Sequence, residues 1–168
     1  MLEATIQRVL AIAAPLAVTL GVIIAILQLR NQTRLRQLEI VMRLYSSFGQ
    51  EDFVRHYNRL SSWKFKTYAQ YRKKATREDA AALFVVGVFF ENMGLLLKRG
   101  LAPIALLDDL LSGPILQTWP ILSPIALGLR QTQNHAAWFE WFEYLHNQMA
   151  ARVARLDKPP RPRSSGRA

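Results

Sequence analysis

The stretch from Val9 to Leu27, VLAIAAPLAVTLGVIIAIL, runs for 19 residues without a charged side chain. A helix of that length is roughly 28 Å long, close to the thickness of the hydrocarbon core of a bilayer. A cleaved signal peptide would need a small-residue cleavage site after the apolar run, and Gln28-Leu29-Arg30 offers none. A core helix of a soluble protein is seldom apolar on every face. The stretch therefore predicts an uncleaved transmembrane helix.

Cationic side chains beside this span predict its orientation. Arg8 precedes the span, whereas Arg30, Arg34 and Arg36 follow it directly. Lysine and arginine residues that flank a span remain on the cytoplasmic side. We therefore expect a single-pass protein of the inner membrane, with its N-terminus outside and the rest of the chain in the cytoplasm.

The distribution of charge points to a lipid surface as a partner. The 168-residue chain carries 22 lysine and arginine side chains against 12 acidic ones, a net charge of +10. The excess lies in residues 30–79 and 158–168, whereas residues 80–157 are almost neutral. Basic residues next to a span are attracted to anionic headgroups, so we expect the arginines that follow the span to contact them. A nucleic-acid binder can carry a similar net charge, so charge alone does not distinguish the two, and nucleic acid is the less favoured partner.

Composition and motifs exclude several kinds of catalytic site. The chain has no cysteine, which excludes a disulfide scaffold, a thiolate metal site and a cysteine nucleophile. Glu143 and His146 have the Glu-x-x-His spacing of di-iron bundles, but the other ligands of such a site are missing. The chain lacks a glycine-rich phosphate loop and a nucleophile elbow. The sequence thus predicts no catalytic residue, metal or cofactor.

Apolar patterning divides the chain into three parts. Residues 1–29 form the N-terminal segment with the anchor, and residues 30–157 form an all-α cytosolic domain. Residues 158–168, KPPRPRSSGRA, combine proline, glycine, serine and cations and predict a disordered basic tail. The predicted fold class is therefore all-α, with one transmembrane helix followed by a small cytosolic helical bundle.

The helix of the span is expected to continue through Phe48 and to end at Gly49. A second, short amphipathic helix follows from about Asp52 to Trp63. Four apolar residues with helical spacing predict a stripe on the first helix that packs on its own domain. Two heptads are too short to indicate a coiled coil. The stripe consists of Leu35, Leu38, Met42 and Tyr45.

Residues 63–74, WKFKTYAQYRKK, alternate aromatic and cationic side chains and leave three interpretations open. The favoured one is a loop whose rings fold into the core. Interfacial membrane segments have the same chemistry, with rings at the headgroup level. Platforms that bind single-stranded nucleic acid share it too, with rings for stacking.

The most apolar cytosolic segment predicts the central core helix. Thr76 is a suitable N-cap with acidic residues behind it, and Gly100 is a suitable stop. Residues 80–97 could also form a second span, but Glu91 and Asn92 would be costly in lipid. A core helix is therefore the favoured interpretation.

Prolines shape the prediction for the last third of the chain. Pro103 is expected to start a helix that ends near Pro114, and Pro120 and Pro124 allow only short helical pieces after it. The final helix is expected to run from about Asn134 to Leu156.

Glu91 is the most informative charged residue. Its helical neighbours are Phe84, Val88 and Leu95, which predicts burial, and a buried carboxylate needs a partner or a proton. A structural carboxylate is the favoured interpretation, and a functional acid is the alternative. The expected partners are Arg130, Lys98 and the indole of Trp119.

The run from Phe89 to Leu101, FFENMGLLLKRGL, is followed by Asp109, Gly113 and Trp119-Pro120. These residues resemble a bacterial family called domain of unknown function 4760, over about residues 35–150. The resemblance implies a small protein with one N-terminal span, a helical remainder and an inner-membrane location. It implies no activity, ligand or site residue.

The anchor, the helical domain and the missing catalytic motif together favour an interaction role. We expect a protein-interaction or scaffold module at the inner membrane, whose partner is another protein or a second copy of the chain. The alternative is a small-ligand-binding or enzymatic helical domain with a pocket around a buried polar site formed by Glu91, Asp109 and Trp119.

Overall fold

A computed structural model describes the backbone of residues 2–156 and the side chains of residues 18–156. Regular structure in the described residues is entirely helical, which confirms the all-α prediction. The chain divides into two compact units, Met1–Ile40 and Val41–Ala168. The six helices are α1 Leu2–Phe48, α2 Glu51–Ser61, α3 Tyr68–Lys74, α4 Arg77–Lys98, α5 Ile104–Gln133 and α6 Glu140–Leu156.

The first unit consists of α1 as far as Ile40, and the predicted span at residues 9–27 is part of that helix. The side chains of residues 9–17 lie outside the described part of the chain, and so does the predicted tail at residues 158–168. All side chains from Val18 to Arg36 are exposed.

The C-terminal end of α1 confirms one prediction and corrects another. The helix ends at Phe48, as predicted. The face that packs into the core consists of Val41, Leu44, Tyr45 and Phe48. The predicted packing was therefore wrong for three members of the stripe: the side chains of Leu35, Leu38 and Met42 are 58%, 43% and 43% exposed. The buried position 41 precedes Met42 by one residue, so the packed face is rotated by about 100° from the predicted one.

The core of the second unit lies where α4 packs against α2 and α6, and where α5 packs against α6. Apolar side chains with helical spacing come together there and are removed from water, which is the main driving force of folding. The largest fully buried side chains include Phe90 and Met93 of α4, Leu111 and Leu122 of α5, and Phe142 and Leu145 of α6.

The prolines do not divide α5, which is one helix of 30 residues from Ile104 to Gln133. The prediction of short pieces was wrong because three prolines are accommodated inside it: Pro114, Pro120 and Pro124. Each proline leaves one carbonyl without its helical partner, and the carbonyl of Pro120 accepts instead from the hydroxyl of Ser123 at 3.5 Å. A continuous buried face outweighs these local costs.

The last helix begins at Glu140, six residues later than predicted. Asn134 adopts a left-handed conformation, with φ of 47°, and ends α5. A left-handed residue cannot lie inside a right-handed helix. Phe139, with φ of 56°, leads into α6.

Residues 63–74 fold inwards, as the favoured interpretation predicted, but they include a helix instead of a loop. The side chain of Thr67 caps α3 by accepting from the backbone N–H of Gln70 at 3.2 Å. Tyr71 is buried, and the rings of Trp63 and Phe65 lie 5.4 and 5.5 Å from its ring.

Among the described residues, α4 and α5 are long and apolar enough to cross a membrane by length and composition. Their most apolar windows are 44% and 39% buried within the protein. The central helices of soluble proteins have the same length and composition, so these two helices are only weak evidence of membrane association. The single N-terminal span remains a prediction.

Candidate functional site

Glu91 lies on α4 and caps the beginning of α6. Its Oε2 accepts a hydrogen bond of 2.8 Å from the backbone N–H of Phe142. The first N–H groups of a helix have no partner within that helix, so the carboxylate satisfies a group that would otherwise be unpaired. Partial burial raises the pKa of Glu91, and hydrogen bonds from the backbone N–H groups of Phe142 and Trp141 oppose that rise.

The side chains expected as partners of Glu91 make their main contacts elsewhere, although the charge of Arg130 is near enough to lower the pKa of Glu91. Arg130 donates from Nη1 to Oε2 of Glu143 at 2.6 Å and from Nε to the carbonyl of Trp138 at 2.8 Å. The ammonium of Lys98 lies 5.1 Å from the ring centroid of Tyr144. Glu91 therefore binds the backbone of another helix. Such a contact cannot be predicted from the types of side chain in the sequence.

The three residues of the predicted polar site do not form one cluster. Trp119 is buried, and its ring lies 5.0 Å from the ring of Phe142, the residue whose backbone N–H binds Glu91. Asp109 is exposed on α5. It precedes Trp119 by ten residues, or about 15 Å along the helix, so the two cannot share a small site.

A second carboxylate, Asp79, is 2% exposed and lies at the centre of a hydrogen-bond network. Arg59 donates from Nε to Oδ1 at 2.6 Å and from Nη2 to Oδ2 at 3.0 Å. The indole of Trp63 donates to Oδ1 at 2.9 Å, and the backbone N–H of Thr76 donates to Oδ2 at 2.9 Å. These donors, Arg59 first, hold the pKa of Asp79 well below its ordinary value.

The Asp79 network joins α2, the segment before α3 and the start of α4. Thr76 and Asp79 form a capping box, for which the sequence gives a local signal. Arg59 and Trp63 lie 20 and 16 residues away from Asp79, and no spacing rule connects them to it. A carboxylate that is ionised and surrounded by donors stabilises the fold and is unsuited to proton transfer at neutral pH.

A cleft of about 700 Å³ lies beside this network, between α2 and the start of α4. Three guanidinium groups and one carboxylate line it, so its lining is cationic. Two of these guanidinium groups are already paired, Arg59 with Asp79 and Arg55 with Asp52. Arg77 makes no ion pair within residues 18–156, so its guanidinium is the group that can bind an acidic group of a partner. The sequence places Arg55 and Arg59 four residues apart, on one face of α2. It does not show that Arg77, which lies on α4, joins them at the same cleft. The lining residues are Arg55, His56, Asn58, Arg59, Arg77, Glu78 and Ala81.

The Glu-x-x-His pair on α6 has separate structural contacts. Glu143 forms the ion pair with Arg130 described above. Nδ1 of His146 lies 3.3 Å from the side-chain oxygen of Asn147, and its ring lies 6.4 Å from that of Trp119. Neither contact orients these two side chains towards a shared ligand.

Replacing Glu91 tests its structural role. We expect Glu91→Ala to lower the free energy of unfolding by about 2 kcal/mol, because it leaves buried N–H groups at the start of α6 without an acceptor. Glu91→Gln retains an acceptor oxygen. Burial disfavours the charge of the Glu91 carboxylate and raises its pKa, so removing that charge costs little, and we expect a loss below about 1 kcal/mol. Urea unfolding followed by tryptophan fluorescence measures both. Equal losses would contradict the capping role.

A comparison with protein families finds one match. The model of the family described as Domain of unknown function (DUF4760) matches residues 15–149, about four fifths of the chain. No curated protein and no solved structure matches the chain. The matched region begins inside α1 and ends in α6, and therefore includes Glu91, the Asp79 network and the cationic cleft. A match over most of the chain shows that the protein belongs to the DUF4760 family.

Proposed function

We propose that the protein is a helical module anchored in the inner membrane by one span in α1, and that it binds a protein partner at the membrane surface. The observation that carries this proposal is a run of exposed, uncharged and mainly apolar side chains along α1. Eight large apolar side chains between Val18 and Leu29 are 45% to 67% exposed. Transfer of apolar surface out of water is favourable by about 25 cal/mol per Å², so these side chains are more stable in lipid than in water.

The two other apolar helices are better explained as core. The protein itself buries 44% of the most apolar window of α4 and 39% of that of α5. Glu91 and Asp79 of α4 also make polar contacts with α6 and α2. Lipid around α4 would have to replace these contacts, whereas the large apolar side chains from Val18 to Leu29 are exposed.

Arginines after the apolar run support the cytoplasmic orientation. Arg30, Arg34 and Arg36 are exposed and follow Leu27, the end of the apolar run, within about two and a half helical turns. At that depth the guanidinium groups of Arg30 and Arg36 meet lipid phosphates, and each contributes about 1 kcal/mol to membrane binding. Arg77 at the cationic cleft of the second unit is then available to an acidic group of a partner in the cytoplasm.

The chemistry of the described side chains favours binding over catalysis. Asp79 and Glu91 hold helix termini in place, and Glu143 is paired with Arg130. An anchor confines the module to a plane and raises its effective concentration towards membrane partners. Crosslinking in native membranes followed by mass spectrometry identifies the partner. A chain that gives no crosslinked protein product would contradict the interaction role.

Two charges placed in the apolar run test the anchor. We expect the double variant Val18→Arg with Val22→Arg to lose membrane association, because arginine near the middle of a span costs about 3 kcal/mol relative to valine. Alkaline extraction and sedimentation of membranes measure the retained fraction. The wild-type chain is expected in the pellet and the double variant in the supernatant.

A matched control adds the same charge outside the run. Ile40 and Val54 are 39% and 41% exposed, and Ile40→Arg with Val54→Arg is expected to stay in the pellet. Release of both double variants, or of neither, would contradict an anchor at residues 9–27. Protease added outside sealed spheroplasts is expected to leave the second unit intact, and its digestion would contradict the cytoplasmic orientation.

A further inference from the structure

A regular face of α1 lies without a partner among the described residues. Its positions recur with spacings of three and four, the pattern of the a and d positions in a left-handed pair of helices. All of them are exposed, and a Cβ added at Gly21 would have no atom within 4 Å. We call it the a/d face, and it consists of Gly21, Ile24, Gln28, Asn31, Leu35 and Leu38.

Two charges flank this face in a self-complementary way. Arg34 and Glu39 make no ion pair within residues 18–156. Five residues of α-helix place them about 140° apart around the axis, so they cannot pair with each other on one helix. In the register of the a/d face Arg34 is a g position and Glu39 is the following e position. In a parallel pair of helices, a g residue of one copy faces the e residue five positions later in the other.

We propose that two copies of the chain pair in parallel through the a/d face of α1, with Arg34 of each copy bound to Glu39 of the other. The proposal rests on the membrane anchor, because anchors inserted from the same side force two copies to run in the same direction. Twofold symmetry then forms the ion pair twice.

The remaining residues of the face suit the same arrangement. Leu35 and Leu38, which are 58% and 43% exposed, would be covered by their equivalents in the second copy. Gln28 and Asn31 lie at the end of the apolar run, where amide side chains hydrogen-bond across membrane helices. Gly21 permits a close approach of the two backbones in lipid. A different protein would have to reproduce this charge order, whereas a second copy carries it already.

The absence of cysteine from the chain permits a direct test. A single cysteine replaces Leu38 on the face, and in a matched control it replaces Ile40, about 200° further around the helix. After oxidation of native membranes with copper phenanthroline, we expect about fivefold more disulfide-linked dimer for Leu38→Cys than for Ile40→Cys, because the two sulfurs must come within bonding distance. Equal yields, no dimer, or a product with a different protein in place of the dimer would overturn the proposal.

Charge reversal tests the ion pairs in the Leu38→Cys background. We expect Glu39→Arg alone and Arg34→Glu alone each to lower the dimer yield roughly threefold or more, since both place like charges opposite each other. The two reversals combined are expected to restore the yield, because the pair is re-formed with its charges exchanged. Failure of the combined variant to recover would overturn the predicted register.

The membrane fraction is measured in the same samples. A chain that is retained in membranes but gives no Leu38→Cys dimer would overturn the pairing and leave the anchor standing. A chain found in the soluble fraction would overturn the anchor and the pairing together.

Discussion

Replacing Asp79 by alanine is expected to lower the free energy of unfolding of the second unit by about 3 kcal/mol. The substitution removes a carboxylate that is 2% exposed and accepts from Arg59, Trp63 and Thr76. It leaves the guanidinium of Arg59, the indole N–H of Trp63 and the backbone N–H of Thr76 without their acceptor, and the loss at each of the last two groups costs about 1 kcal/mol or more. Urea unfolding of the full chain in detergent, followed by tryptophan fluorescence, measures the change.

Glu78 provides the matched control for Asp79. It lies in the same first turn of α4 but is exposed, so Glu78→Ala is expected to change the free energy of unfolding by less than about 0.5 kcal/mol. All four tryptophans of the chain are in the second unit, so their fluorescence reports its unfolding. Equal unfolding midpoints for the two variants would contradict the structural role of the Asp79 network.

The same network predicts how stability depends on pH. The folded state holds the pKa of Asp79 well below its ordinary value of 3.8, chiefly through the hydrogen bond from Arg59. The contribution of the network is therefore complete above pH 3.8 and is lost as the pH falls below it, because protonation is then coupled to unfolding. The difference in stability between the wild type and Asp79→Ala is expected to shrink in acid. A constant difference would contradict the lowered pKa.

The second large effect is expected from Gly94→Ala. An added Cβ at this buried position of α4 would overlap with the backbone carbonyl carbon and oxygen of Trp141 on α6. A backbone cannot move aside as a flexible side chain can, so α4 and α6 would have to separate along their contact. We expect a loss of about 3 kcal/mol or more in the free energy of unfolding, the upper part of the range for overpacking. The urea midpoint measures this loss.

Gly113 on α5 is the control for that substitution. It is exposed in the interior of a helix, and an added Cβ would have no atom within 4 Å apart from its chain neighbours and the backbone of its own helix. Gly113→Ala is therefore expected to change the free energy of unfolding by less than about 1 kcal/mol, because the helix preference of alanine is opposed by the crowding of its Cβ against the ring of Pro114. If Gly94→Ala unfolded at the same urea concentration as Gly113→Ala, the close packing of α4 on α6 would be contradicted.

Helix boundaries that are set by residues close to them in the sequence could be predicted from the sequence. Gly49 ends α1, and Thr76 begins α4 with Asp79 as its reciprocal partner, all within four residues of the boundary. The continuity of α5 depends instead on a buried face that extends past Pro120. Helix-breaking propensity is a local cost, and it is overridden where packing along the whole helix outweighs it.

The candidate site was harder to predict than the fold. Glu91 is half-buried, but Phe84, one of the apolar neighbours from which its burial was predicted, is 62% exposed. The acceptor role of Glu91 towards the backbone N–H of Phe142 could not be predicted from side-chain types. Arg59 was missed as the partner of Asp79 because the two come together through the packing of α2 on α4. Predicting either contact requires the relative position of two helices, which spacing along one helix does not contain.

Capping of α6 by a residue of α4 has a consequence for the order of folding. The two groups are 51 positions apart in the chain, so α4 is synthesised well before the segment whose first turn it completes. Until the C-terminal segment docks, the amides at its start have no acceptor apart from water, and the Glu91 carboxylate is free to be hydrated. The first turn of α6 therefore depends on a residue of another helix, and we expect α4 and α6 to gain and lose order together.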